Sequence, residues 1–198
     1  MKNRYLSGLV AMALVAATSL AIASPLTAST AYEFNGQTGE SKNDNSELRV
    51  GLGYKTAVGT IDGAVVFNRF RYGDQDETNG FELGYSNGVK LGPVAVTGRA
   101  AYGRKYQFDG ETGTGYTGRT QYFRLGVDGA VTVAGPLAAY TGYRHTGTFH
   151  SVGDEGENQY GYGGQVSIDK AVFRVGGTHT IVNGRTFNGL ALGVSTGF

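Results

Sequence analysis

Few side chains in this chain are placed to do covalent chemistry. It has no cysteine, which removes a thiol nucleophile, a disulfide framework and any Cys-based zinc site. The three histidines are His145, His150 and His179. His150-Ser151 stands beside Asp154 and Glu155, the residue types of a hydrolytic triad. Sequence-adjacent Ser and His point to opposite sides of a strand, however, so ordinary loop residues are the simpler reading. Gly113-Thr114-Gly115-Tyr116-Thr117-Gly118 fits G-x-G-x-x-G, but no helix follows to hold a dinucleotide. The acidic groups Asp74/Asp76/Glu77 and Asp154/Glu155/Glu157 could hold Ca²⁺ or Mg²⁺, yet lack an EF-hand spacing. The expectation is no catalytic centre, no metal site and no cofactor.

The remaining chemistry is electrostatic, and it depends on which way the elements point each charge. No stretch after residue 30 offers about 18 consecutive apolar residues or a sustained 3.6-residue stripe. Alternation with period two runs throughout instead. Leu48, Val50, Leu52 and Tyr54 oppose Arg49, Gly51 and Gly53. Phe81, Leu83, Tyr85, Val89 and Leu91 oppose Glu82, Gly84, Ser86, Gly88 and Lys90. Val94, Val96, Ala100 and Tyr102 oppose Thr97, Arg99 and Gly103. Each run is a strand with one apolar face and one small or polar face.

A soluble sandwich and a membrane barrel both alternate in this way, with opposite faces buried. Three features favour the barrel. Several runs extend 11–15 residues, suited to a tilted crossing of about 9–11. Only 17% of residues are charged, and the second face is rich in Gly, Ser and Thr rather than Lys and Glu. Tyr32, Tyr72, Tyr102, Tyr143, Tyr160 and Tyr162 fall near strand ends, as an aromatic girdle requires. Short turns near Val58-Gly59-Thr60, Leu91-Gly92-Pro93, Ala134-Gly135-Pro136 and Asp169-Lys170 alternate with polar loops at 37–46, 74–79, 109–118 and 151–158.

A weak repeat counts the strands. Leu52-Gly53-Tyr54, Leu83-Gly84-Tyr85, Leu125-Gly126-Val127, Tyr162-Gly163-Gly164 and Leu192-Gly193-Val194 have middle glycines 31, 42, 37 and 30 residues apart. Five such strands and five returning ones, the first near Ala28–Gly36, make an all-β, antiparallel up-and-down transmembrane barrel of ten strands. Eight strands is the alternative. Upstream, Lys2 and Arg4 precede an apolar run from Leu6 to Ile22 and then Ala21-Ile22-Ala23. That pattern predicts a secretory signal peptide over 1–23, with an uncleaved anchor as the alternative. The barrel domain then occupies 24–198.

A signal peptide, alternating strands and a last strand with Leu190, Leu192, Val194 and Phe198 at alternate or final positions resemble the small Gram-negative outer-membrane β-barrel proteins, the porin-like and OmpX-type small barrels. Thr196 departs from the apolar or aromatic residue usual in that ending. The resemblance implies a bacterial outer-membrane location, contact with lipid and lipopolysaccharide, and Leu190, Leu192, Val194 and Phe198 as a signal for the barrel-assembly machinery. It also places His150 at the outer rim, where hydrolases of this architecture keep their sites.

Parity opposite to the lipid-facing sets assigns the lumen. Its expected bases are Arg49, Lys55, Arg69, Arg71, Lys90, Arg99, Lys105, Arg124, Arg144 and Arg174; its acids are Glu33, Glu82, Asp128 and Asp169. Ten against four gives +6 inside a chain whose formal charge is only +1, which does not suggest a nucleic-acid partner. The register over 61–72 and 171–182 was set by keeping arginine away from lipid, where it costs about 2–4 kcal/mol at the midplane. Two readings of such a monomeric barrel stand open. Basic rings select small anions in a narrow porin-like channel. Alternatively, ion pairs fill the bore and leave a closed structural or surface-interaction (adhesin-like) barrel. A hydrolase at the outer rim is a remote third. Glycine, 34 of 198 residues or about 17% against about 7% on average, falls mostly at turns and inward positions such as Gly51, Gly84 and Gly126.

Overall fold

The computed structural model describes residues 25–37, 44–72, 74–109, 116–149 and 156–197. The expected signal peptide, His150-Ser151, Asp154, Glu155, residues 113–115 of the G-x-G-x-x-G run and Phe198 lie outside them. Ten strands form: β1 (Leu26–Gln37), β2 (Asp44–Thr56), β3 (Gly59–Tyr72), β4 (Asp74–Leu91), β5 (Val94–Asp109), β6 (Tyr116–Ala134), β7 (Leu137–Phe149), β8 (Glu157–Ile168), β9 (Ala171–Val182) and β10 (Arg185–Gly197). Each pairs antiparallel with its neighbours in sequence, and β1 pairs with β10, closing the barrel. Residues 74–79, read from sequence as a loop, instead extend β4.

Two-residue turns join the strands at one end. Gly92 (φ 60°) and Gly135 (φ 51°) each precede a proline, pairing a left-handed residue with one whose φ is fixed negative, the pattern of a type II′ hairpin. Asp169 (φ 52°) performs the same left-handed step at the β8–β9 turn. At the opposite end Asn183 (φ 49°) and Gly184 (φ 72°) make a type I′ turn.

The register is sheared, as closure requires. The N–H of Lys55 meets the carbonyl of Pro25. Followed across the strands through Thr60, Ser86, Arg99, Gly126, Arg144, Gln159, Thr180 and Phe187, the row of Lys55 returns to β1 at Gln37. Gln37 lies 37 − 25 = 12 residues beyond Pro25 on the same strand. The strands are therefore strongly tilted, and residues on one row climb steadily around the wall.

Burial is inside out relative to a soluble domain. Leu52 (67%), Leu83 (60%) and Tyr162 (60%) are among the exposed large apolar side chains, while Glu82 (2%), Arg124 (4%) and Arg49 (9%) are buried. A chain with buried charge and an exposed apolar girdle is stable only where its outer face meets hydrocarbon.

Candidate functional site: an ion-paired lumen

The inward face of the loop-ward half carries a belt of side chains. Arg49 on β2 binds Glu82 Oε1 through Nη2 (2.8 Å) and Nε (3.1 Å), and Asp62 at 2.9 Å. Arg99 on β5 reaches the same two acids at 2.5 and 3.1 Å. The other oxygen of Glu82 receives Arg124 Nη1 at 3.0 Å and the Tyr122 hydroxyl at 3.2 Å. The Glu82 side chain is completely buried and shares three guanidinium groups. A lone buried carboxylate would be costly; three cationic donors offset its desolvation.

Two bridges cross the bore. Arg124 on β6 donates from both terminal nitrogens to Glu47 on β2, at 3.3 and 3.2 Å. Arg144 on β7 reaches Glu33 on β1, at 3.4 and 3.1 Å. Both pairs join strands four apart in a ring of ten, so the side chains span the lumen rather than lining it. Glu157 lies 3.5 Å from Arg144. Gln159 donates to Glu33 (2.9 Å) and Thr180 (3.0 Å), and Thr178 donates to Asn35 at 2.5 Å. With its amide oriented to satisfy both neighbours, Asn68 donates to Glu47 (3.0 Å) and accepts from Lys105 (2.7 Å). Lys105 and Arg124 also lie over the Tyr122 ring, at 5.0 and 5.6 Å.

Glycine leaves room for this packing. A β-carbon at Gly103 would overlap the Tyr122 ring, and one at Gly176 would meet the Tyr140 hydroxyl. Between the belt and the turn end lies a cavity of about 230 Å³, lined by Arg49, Arg99, Arg124, Arg144 and Arg174 together with Glu33, Asp128 and Tyr140. Arg174 stacks over Tyr140 at 5.3 Å and donates to Gln165 at 3.0 Å. Lys55 and Lys90 keep inward parity at the turn end, where both are exposed.

The lumen set drawn from sequence is redistributed in three places. Arg69 faces outward with Val65 and Phe67, because Thr60, Asp62, Ala64, Val66 and Asn68 take the inward parity of β3. Inward parity lets Asp62 meet Arg49 and Arg99 in the lumen; Arg69 lies near the loop end, where arginine on the lipid face costs only about 0–1 kcal/mol. The side chain of Arg71 lies outside the described residues. Asp169 is an exposed turn residue, not a lumen acid. Glu157, read as a loop residue, and Glu47 and Asp62, left out of the lumen set, project inward. Among described side chains inward parity holds nine bases (Arg49, Lys55, Lys90, Arg99, Lys105, Arg124, Arg144, Arg174 and Arg185) and six acids (Glu33, Glu47, Asp62, Glu82, Asp128, Glu157), a net +3 rather than +6.

On the outer surface, Leu190, Leu192 and Val194 share the outward parity of β10. His145 Nδ1 pairs with Asn158 Oδ1 (3.0 Å) and His179 Nδ1 with Asn188 Oδ1 (2.8 Å). Among the described residues, neither histidine ring is hydrogen-bonded to a serine or carboxylate. Among the described residues no His/Asp/Glu cluster of metal-binding size occurs.

No family model matches the chain, and no curated protein sequence matches it. Solved structures do. The β domain of the Bordetella autotransporter BrkA superposes with a TM-score of 0.52 at 13% identity, covering 89% of this chain and 100% of that one. The translocator domain of autotransporter NalP from Neisseria meningitidis gives 0.48 at 13%, covering 98% of each, and the KdgM porin 0.41 at 11%, covering 86% and 99%. The BrkA match bears on the fold alone: the closed antiparallel barrel of this chain, ten-stranded by its own topology, is similar to that β domain. At such identities nothing about activity is carried with the fold.

Proposed function

We propose that this protein resides in the bacterial outer membrane as a monomeric barrel whose lumen is closed by the ion-paired belt. It acts there as a structural or surface-interaction barrel rather than an open diffusion pore. The observation behind this reading is the pair of cross-lumen bridges, Arg124–Glu47 and Arg144–Glu33. Guanidinium and carboxylate groups locked to one another have few free valences left for a passing solute, and a ten-stranded bore is narrow. On this reading the β2–β3, β4–β5, β6–β7 and β8–β9 turns face the periplasm, Leu190, Leu192, Val194 and Phe198 are read by the assembly machinery, and lipopolysaccharide surrounds the outer rim. The barrel carries out no catalysis.

A second reading, a narrow channel favouring small anions, is supported by the cavity beneath the belt and by Arg174, Lys55 and Lys90, which make no ion pair among the described residues. Osmotic swelling of proteoliposomes separates the two. A closed barrel leaves swelling in small sugars and in organic-acid salts at the rate of empty vesicles. Faster swelling in anionic solutes supports the channel.

A further inference from the structure

The outward face holds a feature that a lipid-facing wall should avoid. Arg69, Arg104 and Arg119 carry outward parity on β3, β5 and β6, sharing faces with Phe67, Tyr102 and Phe123. They occupy three successive outward rows. Phe81, Arg104 and Gln121 form the lowest, Asn79, Tyr106 and Arg119 the next, and Arg69 with Glu77 the row above. All three lie toward the loop end, on the side of the barrel where the longest strands, β4 to β6, stand. The outward rows of β7 to β10 offer His145, Tyr160, His179 and Asn188 at the corresponding end, but no lysine or arginine among the described strand residues.

Register sets Glu77 opposite Arg69. Arg104 and Arg119 make no ion pair or hydrogen bond with other side chains among the described residues, and the Arg104 Nε is buried without an acceptor. Around Arg104, Phe81 beside it and Tyr102 and Tyr106 along the strand mark the aromatic border between hydrocarbon and headgroup. An arginine at that border needs an anionic oxygen from outside the protein. The planar guanidinium pairs with two oxygens of a phosphate at once.

We propose that Arg104 and Arg119, with Arg69 at the edge, form a binding site for the phosphate groups of a phosphorylated glycolipid in the outer leaflet. The aromatic side chains below contact its acyl chains. The proposal rests on the outer-membrane reading above. It commits to a lipid headgroup rather than free phosphate because the arginines sit directly above an apolar, aromatic wall.

The test uses the full barrel refolded in detergent micelles, with diphosphorylated lipid A as the probe and dephosphorylated lipid A and inorganic phosphate as comparisons. Binding is read by native mass spectrometry. The expected result is preferential retention of the diphosphorylated lipid, weakened by about fivefold for each of R104Q and R119Q. K55Q/K90Q, which removes two charges at the other end, leaves retention unchanged. R119Q alters an exposed rim residue, so it serves if R104Q fails to fold. Equal binding of phosphorylated and dephosphorylated lipid, equal displacement by inorganic phosphate, or undiminished binding in R104Q and R119Q overturns the site. A chain that never acquires a heat-modifiable folded band in micelles or vesicles instead defeats the membrane reading itself.

Discussion

Arg124 on β6 and Glu47 on β2 meet across the bore through two contacts of 3.3 and 3.2 Å, and the same guanidinium holds Glu82 at 3.0 Å. One side chain thus ties three strands that are not neighbours. On the proposed closed-barrel reading the belt blocks the lumen as well as tying strands together, so its members govern stability as well as permeability.

Glu82 is the most connected acid in that belt. Glu82→Gln keeps the shape but leaves Arg49, Arg99 and Arg124 short of a buried negative charge. Breaking a buried pair from one side costs about 3–5 kcal/mol. Urea unfolding from lipid vesicles, followed by circular dichroism, is expected to show a loss of that size. A loss below about 1 kcal/mol would mean that the bridges behave like solvated surface pairs.

Gly103 faces the Tyr122 ring on the neighbouring strand. Gly103→Val forces that buried ring (1% exposed) off Glu82, and overpacking of this kind costs about 1–3 kcal/mol. Gly164→Val, at a position with open space beside it, is the control and is expected to be near neutral. The same unfolding assay reads both.

The outer face gives a third prediction. Leu83 is exposed in the apolar girdle, one residue from buried Glu82. Leu83→Arg places charge in hydrocarbon and is expected to lose about 2–4 kcal/mol if Leu83 lies near the midplane. Ser86→Arg, on the inward face of the same strand, is expected to lose less, since the lumen supplies water and carboxylates. Equal losses would contradict the assignment of faces.

Period two made the fold legible. Leu48 through Tyr54 and Phe81 through Leu91 stated their outward faces unaided, and the five-fold glycine repeat gave the strand count. The lumen was legible only where alternation was clean. Glu47 lies one step beyond Leu48, and the parity of β2 alone would have turned it inward; starting the strand's alternation at Leu48 hid the main partner of Arg124. Over 61–72 the run Ala64-Val65-Val66-Phe67 is apolar on both faces, so hydropathy cannot choose the register. Partners on other strands choose it: Arg49 and Arg99 draw Asp62 inward, and Arg69 is left outward near the rim, where arginine is cheap. Cross-lumen pairing depends on shear, which no single strand's pattern encodes.

Conductance across a planar bilayer tests the closed-belt account most directly. The unaltered barrel, inserted and confirmed folded, is expected to show no resolved openings in concentrated KCl. Arg124→Ala combined with Arg144→Ala removes both crossing side chains and leaves Glu33, Glu47 and Glu82 in the bore; discrete openings with cation-selective reversal potentials are expected from it. A steady, anion-selective conductance in the unaltered protein, matched by the double variant, would contradict the account.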